Sequence, residues 1–407
     1  MGGRGPDTES GPLLTPSPRL TGPLPDPADG GRPASPGHVW TGVVIHLLLT
    51  VSVLELPRAF AARYFRRRER TERNTPAAVG AGLNASRAPA EVAVPAHTTA
   101  LHGAPVEPAG GAPGGPVAPE GDGARDTDGP PMGRRLLLGR TVGAVAGVTA
   151  LGTVGHGMSV ALGAPLTHRV PIALTELDPR MAGLRIAVVS DIHLGPLLGR
   201  SHTERIVRLI NRQEPDVVAV VGDLADGTAA QLGPAARPLR NLESRYGNFF
   251  VTGNHEYLYD GVEDWLDEMR DVGIRPLVNE RVEIWHNGAV LDLAGVEDVT
   301  GEEVGRGPDF DRALGGRDTS RPVVLLAHQP VLAEEAARHG VDLQLSGHTH
   351  GGQMVPLNLV NELSNPVVSG LGRVDDTWLY VTRGAGFFGP PVRVGAPPDI
   401  TMVELGS

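Results

Sequence analysis

From Leu166 onward, short apolar runs alternate with stretches whose apolar residues recur at helical spacing, the pattern of an α/β domain. Ile186 to Val189, Val217 to Val221, Phe249 to Val251, Val323 to Ala327 and Leu343 to Leu345 are almost continuously apolar, as strands covered on both faces are. After the first of them, Ser201-His202-Thr203-Glu204 has the form of a capping box, and Ile206, Leu209 and Ile210 keep helical spacing until Pro215. A second helix is expected from Val262 to Val272, with Val262, Trp265, Leu266, Met269 and Val272 on its apolar face and Gly273 placed for a left-handed C-cap. A third runs from Val331 to His339 and stops at Gly340. Val282-Glu283-Ile284 and Leu291-Asp292-Leu293 alternate, and Leu379-Tyr380-Val381 and Ile400-Thr401-Met402-Val403 also read as strands, so a second sheet with antiparallel members is expected. Two groups of strands with helices outside both are compatible with two sheets packed face to face between helical layers, with the strand order left open.

Ahead of this domain the pattern is of another kind. A mostly apolar stretch at 39–56 reads as a transmembrane helix, slightly short for the ~20 residues a span needs. The basic cluster that follows it, Arg63 to Arg70, places that end on the cytoplasmic side. A second candidate occupies 134–165: Arg134-Arg135 and three leucines, then an uncharged Gly/Ala/Val run after Arg140. It is either a twin-arginine export signal or a plain signal-anchor helix, and both place residues 166–407 outside the cytoplasm, tethered or released by cleavage. No amphipathic stripe marks it as a core helix.

Composition sharpens this division. The chain's 55 Gly and 37 Pro among 407 residues are concentrated unevenly. Residues 1–38 and most of 57–133, basic and then Pro/Ala/Gly-rich, lack the apolar surface that would offset chain entropy, and disorder is expected there. With no Cys, thiolate metal sites and disulfides are excluded, which leaves His, Asp, Glu and Asn as metal ligands. A net charge of −11 without a basic cluster in the folded half argues against nucleic acid as a partner.

The chemistry sits where the apolar runs end. Asp191-Ile192-His193, Gly222-Asp223, Gly253-Asn254-His255-Glu256, His328 and Gly347-His348-Thr349-His350 each follow one of five strand-like runs. Ligands of α/β proteins gather outside the carboxyl ends of the strands, so these clusters should converge on one rim. Any one of them could be a chance occurrence; five in order, each at a strand end, could not.

This series resembles the calcineurin-like metallophosphoesterases. Gly253-Asn254-His255-Glu256-Tyr257, Ser346 to Gln353, and Tyr380-Val381-Thr382-Arg383-Gly384 with Pro398-Asp399-Ile400-Thr401 resemble the bacterial membrane-anchored or twin-arginine-exported branch. The resemblance covers roughly residues 168 to 405 and implies a four-layer α/β/β/α sandwich with two mixed sheets. It also implies two divalent transition-metal ions, Mn, Zn or Fe. Asp191, His193 and His350 would hold the first and Asn254, His328 and His348 the second, with Asp223 shared. A hydroxide bridging the pair would attack a phosphate ester in line, His255 would protonate the leaving oxygen as general acid, and Asp226 would orient His255. Glu256 and Tyr257 are open between packing and substrate contact, and Arg383 between a substrate phosphate and an ion pair. His202, His286 and His339 lie outside every motif. A phosphodiester of a lipid or envelope polymer fits a place at the plasma membrane, a phosphomonoester would use the same metals, and Phe387-Phe388-Gly389-Pro390-Pro391, the one short apolar patch, is open between lipid contact and packing. A catalytically silent scaffold of this fold would have lost ligands, and here the set is complete.

Overall fold

The computed structural model describes residues 134–259 and 261–406 together with Val44, Leu48 and Arg63; of residues 134–138 it describes only the helical backbone. The segments expected to be disordered and the first hydrophobic stretch fall outside this set, save for those three isolated positions.

The apolar runs form β2 to β4 and β8 to β9 of two six-stranded sheets. In chain order the strands are β1 (Leu166–Ala173), β2 (Arg185–Val189), β3 (Val217–Val221), β4 (Asn248–Val251), β5 (Arg275–Pro276), β6 (Glu280–His286), β7 (Ala289–Gly295), β8 (Val323–Leu326), β9 (Leu343–Ser346), β10 (Gly370–Val374), β11 (Thr377–Val381) and β12 (Asp399–Gly406). One sheet has the order β1-β12-β2-β3-β4-β5, and the other β10-β11-β9-β8-β7-β6. Both are mixed: β12 runs antiparallel to β2 but parallel to β1, while β6 and β10 are the antiparallel edges of the second sheet.

Alternation within the apolar strands explains why both faces are apolar. Ile186 and Val188 point into the layer between the sheets, where they meet Leu291, Leu293, Val324 and Leu345. Ala187 and Val189 point the other way, onto α2 (Arg200–Asn211), α3 (Ala229–Ala236) and, after the short α4 (His255–Leu258), α5 (Val262–Asp271). The outer face of the second sheet is covered by α6 (Phe310–Leu314) and α7 (Ala333–Arg338). The result is the expected four-layer α/β/β/α sandwich.

Some local readings change. The capping box is not formed: α2 starts at Arg200, Gly199 holds the cap position without a side-chain bond, and Ser201 is already inside the first turn. Glu204 instead accepts from Arg200 Nε at 2.9 Å, and Thr203 donates to Ala235 O. The third helix opens as a 3₁₀ turn, Pro330–Leu332, before α7. β1, β5 and β10 were not visible in the pattern: Pro occurs in the first two, and two glycines interrupt the third.

The second hydrophobic segment is one continuous helix, α1 (Arg134–Ala161). Among the described residues it is the one helix long and apolar enough, over Gly139–Ala161, to cross a membrane. Its C-terminal turns lie on the domain. Val154 packs with Met354 and Val392, and Ala161 with Leu198 and Phe387. At Gly157 a methyl group would stand 2.6 Å from Val392 Cγ1, and the Gly157 carbonyl accepts from Arg393 N–H at 3.0 Å. Small residues lie both on the buried stripe Ala150, Val154, Gly157, Ala161 and on the exposed face, as at Gly152 and Gly155, so the sequence shows no amphipathic stripe.

Trp265 is the largest side chain fully buried in the layer under α5, and its indole N–H donates to Gly227 O at 2.9 Å. Trp265→Ala should therefore cost about 3–5 kcal/mol, read as a lower urea midpoint. A loss below about 1 kcal/mol would mean that α5 does not carry this layer.

Candidate metal centre

Every predicted donor lies just past the carboxyl end of its strand: Asp191 and His193 after β2, Asp223 after β3, Asn254 and His255 after β4, His328 after β8, and His348 and His350 after β9. Five of them turn the chain through left-handed backbone, with φ of 52° at Asp191, 48° at His193, 52° at Asp223, 71° at His348 and 53° at His350. Such conformations cost an ordinary residue energy and persist where surrounding contacts impose them. Here the turns are cross-tied: Asp191 N–H donates to Gly222 O at 3.1 Å and His193 N–H to Asp223 O at 3.2 Å. The loops also approach too closely for any side chain at Gly347, where a methyl would overlap Ser190 Oγ and Asp191 Oδ2.

The donors fall into groups whose ligand atoms lie within 4.8 Å of one another, Asp191/His193/His350 and Asp223/His328/His348. In the first, His350 Nε2 is 3.3 Å from Asp191 Oδ1 and 3.0 Å from His193 Nε2. In the second, His328 Nε2 is 3.2 Å from Asp223 Oδ2, and the Asn254 amide oxygen lies 3.2 Å from His328 Nε2 and 2.9 Å from His348 Nδ1. Asp223 Oδ2 is also 3.8 Å from His193 Nε2, so this carboxylate stands between the groups. The outward nitrogens are already committed: His193 Nδ1 to Asp226 Oδ1 at 2.7 Å, and His328 Nδ1 to Val221 O at 2.8 Å. That leaves Nε2 lone pairs of neutral imidazoles facing carboxylate and amide oxygens, an arrangement that fits cations and wastes its donors otherwise.

Without metal, protons balance this charge. Burial pushes the His193 pKa down, but Asp226, Asp223 and Asp191 outweigh it and raise it to about 9. Burial likewise opposes ionisation of Asp226, yet His193 and His255 hold its pKa at about 2. His350 is kept neutral, its pKa well below the usual value through burial and then the nearby Arg393 guanidinium.

Around the donors, the structure separates roles that the sequence left open. Glu256 is fully buried, and its carboxylate accepts from Gly253 N–H at 2.6 Å, Asp223 N–H at 3.0 Å and Leu224 N–H at 2.8 Å, so it fastens the β3 and β4 loops together. Burial and the charge of Asp223 push its pKa up to about 7, with the amide donors working against that shift. The Tyr257 hydroxyl packs inward against Thr252 and Glu297. Arg383 is ion-paired to Asp399 at 2.8 Å. His286 meets the Tyr246 hydroxyl and His339 meets Asp311, while His202 is buried under the first sheet's helices, all apart from the donor groups.

His255 Nδ1 is 2.9 Å from Asp226 Oδ1 but is not aligned as a hydrogen bond; the aligned partner of Asp226 is His193. Asp226 therefore touches both a donor and the expected acid. One residue went unnoticed in the sequence, and another was noticed only as part of an apolar patch. Buried Arg393 bonds His350 Nδ1 at 2.9 Å and the carbonyls of Arg383, Gly386 and Ala396, joining loops from three parts of the chain. Phe388, 56% exposed, stands with its ring 5.2 Å from that of His255 and 6.0 Å from that of His193. The apolar Phe387-Phe388 pair was visible as a patch; nothing in the spacing tied Arg393 to His350.

Two outcomes follow for the metal-stripped protein. His193's pKa is raised above its unfolded value of 6.5, so its stabilisation is complete below pH 6.5 and fades as pH rises through about 9. A metal at Nε2 displaces that proton, so binding at pH 7 should release protons, seen as buffer-dependent heats in calorimetry, and affinity should climb toward pH 9. Absence of proton release would show that His193 is not a ligand. Glu256→Gln replaces one of the carboxylate oxygens that accept from three N–H donors by an NH2 that cannot accept, and should weaken metal binding about 10–100-fold by the same titration.

The sequence profile described as calcineurin-like phosphoesterase matches residues 184–352. A cattle (Bos taurus) protein named transmembrane protein with metallophosphoesterase domain is 41% identical over 284 residues, 67% of this chain and 63% of that protein. Uncharacterized metallophosphoesterases of Helicobacter pylori and Aquifex aeolicus are 38% and 36% identical, over 63% and 57% of this chain and 68% and 88% of their own lengths. The chain spans 63%, 59% and 52% of the animal relatives from cattle, zebrafish and nematode, so the similarity is not confined to the expected bacterial branch. Matched along most of the length of these bacterial proteins and carrying its donors at the ends of the corresponding strands, the chain belongs to the calcineurin-like phosphoesterase family.

Proposed function

We propose that this protein hydrolyses phosphate esters with two divalent transition metals, Mn, Zn or Fe. Asp191, His193 and His350 would hold one ion and Asn254, His328 and His348 the other, with Asp223 shared. The observation that carries this reading is the position of Asp223 Oδ2, within 3.2 Å of His328 Nε2 and 3.8 Å of His193 Nε2, between two otherwise separate donor groups. Family membership supports the reaction class, and the family's use of divalent metals supports the cofactor. When bound, such ions supply Lewis acidity toward phosphoryl oxygens and make water acidic enough to act as a nucleophile.

The protein's own residues supply the proton traffic. Asp226 remains ionised through the neutral range, because His193 and His255 hold it at about 2 against the cost of burial. Its carboxylate stands beside His255 Nδ1, leaving Nε2 to face the centre, 3.9 Å from Asp223 Oδ2. His255 is thereby placed to give a proton from Nε2 to the departing oxygen, with the Asp226 carboxylate 2.9 Å from its Nδ1. Asp226 also orients His193, so removing it disturbs a metal ligand and the acid together.

The membrane forms the second half of the proposal. α1 carries Arg134, Arg135 and Arg140 at its N-terminal end, which favours a cytoplasmic start and a catalytic domain on the far side of the plasma membrane. The name of the cattle relative supports membrane association. A phosphodiester of lipid or envelope origin suits that position, with Phe388 beside His255 offering an apolar surface to the leaving group.

The full chain, stripped and reloaded with Mn, Zn or Fe, should turn over bis-p-nitrophenyl phosphate or p-nitrophenyl phosphate only with metal. Metal binding without turnover on any ester would sink the hydrolase reading. His255→Ala should lose about 10²–10⁴-fold on a diester with an alkoxide leaving group, and much less on the p-nitrophenyl esters, whose leaving group needs no proton. Equal losses on both would remove His255 as the acid.

A further inference from the structure

Beside the donor rim lies an apolar surface that the chemistry does not use. After Met354, which is buried against α1, the chain runs out through Val355, Leu357, Leu359, Val360 and Leu363, with exposures from 37% at Leu357 to 87% at Leu363. Leu359 and Val360 stand on α8 (Asn358–Asn361), a single helical turn none of whose residues is buried. From Val355 to Asn365 the only charged side chain is Glu362. Exposed aliphatic side chains gathered in one short segment mark a contact surface rather than ordinary scatter.

The surroundings of this segment identify its partner. Val355 N–H donates to Val394 O, and Met354, Val392 and Val394 form the seat on which Val154 and Met158 of α1 rest. Gln353, one residue upstream of that seat, donates to Phe388 O at 2.8 Å and accepts from Phe388 N–H at 2.9 Å. One connected patch of chain thus carries the helix seat, the exposed apolar segment and the aromatic ring over His255. Further along α1, before its seat, Val148 and Leu151 are exposed by 73% and 61%.

The length of α1 supplies the decisive constraint. The first residue of α1 seen packed on the domain is Val154, and from Arg134 to Thr153 the helix rises about 30 Å at 1.5 Å per residue. The hydrocarbon core is about 30 Å thick. A span that begins at the arginines therefore ends where the helix meets its seat, which puts the docked loops at the interface, where surface-lying elements sink about 5–10 Å.

We propose that the segment Val355–Leu363 docks into the interfacial region of the lipid bilayer that α1 crosses, so that the donor rim with Phe388 faces the membrane surface. This rests on the membrane reading of α1 and is independent of which ester is cleaved. With one acid and no base in the segment, insertion is driven by apolar area, and salt should not release it.

Because the chain has no cysteine, a single label can be placed at will. The test uses the full chain in bilayers, with Leu363→Cys carrying an environment-sensitive fluorophore and lipids brominated near the headgroup. Trp285→Cys is the control: Trp285 is 59% exposed and pairs with Val290 near the start of β7, at the sheet end away from the donors. The label at 363 should shift to the blue and be quenched by brominated lipid at low and high salt, while the label at 285 should show neither change. Equal water exposure at the two positions overturns the proposal. Protection at 363 without quenching also overturns it, giving the face to a protein partner or a second copy. A second variant, with Leu359, Val360 and Leu363 all changed to Ser, removes only exposed side chains. It should keep metal-dependent turnover of soluble p-nitrophenyl esters while quenching at a label on residue 355 falls at least about tenfold. Unchanged quenching would overturn the docking, whereas absent turnover in the unaltered chain would count against the hydrolase reading alone.

Discussion

The rim is governed by the need to neutralise buried carboxylates. Asp191 and Asp223 lie in the protein with almost no exposure, and a buried charge is tolerated only when paired or placed beside a cation. Around them the chain brings in imidazoles and backbone amides. His348 N–H reaches Asp191, and His255 N–H reaches Asp223 Oδ1 at 2.9 Å. The left-handed turns at five donors serve the same end, because only such turns aim consecutive side chains and amides of one loop at a common point. Glu256, held between three amides, keeps two of the loops in register without itself entering the donor groups.

What could be read in the sequence was whatever is local. A doubly covered strand announces itself as an apolar run, and a polar cluster at its end needs no knowledge of the partners, so β2, β3, β4, β8, β9 and the donors from Asp191 to His350 were all visible. Relations between distant segments were not. Arg393 looks like any arginine in a Pro/Val/Gly stretch until the fold brings it to His350, and Asp226 reads as a partner of His255 while its aligned bond is to His193. The docked stripe of α1 escaped because small and apolar residues lie on both of its faces, so the buried Gly157 and the exposed Gly155 look alike in the sequence. Ser201 to Glu204 failed for a different reason: the motif was right in composition and displaced by two residues from the cap, which falls on Gly199.

The exposed segment after Met354 shows how surface chemistry hides from pattern reading. Val355-Pro356-Leu357-Asn358-Leu359-Val360 alternates enough to pass for core, and its exposure becomes evident only when the neighbouring strands are in place. Apolar residues seldom remain outside in such a group without something to cover them. Its position next to the helix seat joins the placement of the enzyme to the shape of its rim.

The pairing of β12 carries a consequence for assembly. This strand lies between β1 and β2, parallel to one and antiparallel to the other, although nearly the whole domain separates it from both along the chain. β1, which directly follows α1, has no other neighbour in its sheet. During synthesis the strand that follows α1 must therefore wait, unpaired, while every other strand emerges. Loop closure on this scale is slow, and the waiting edge is exposed to the wrong partners. The seat for α1 and Arg393 lie just ahead of β12, so the helix gains its dock, and His350 its guanidinium, in the same late event. Helix seat and donor rim mature together, and a chain halted before β12 would have neither.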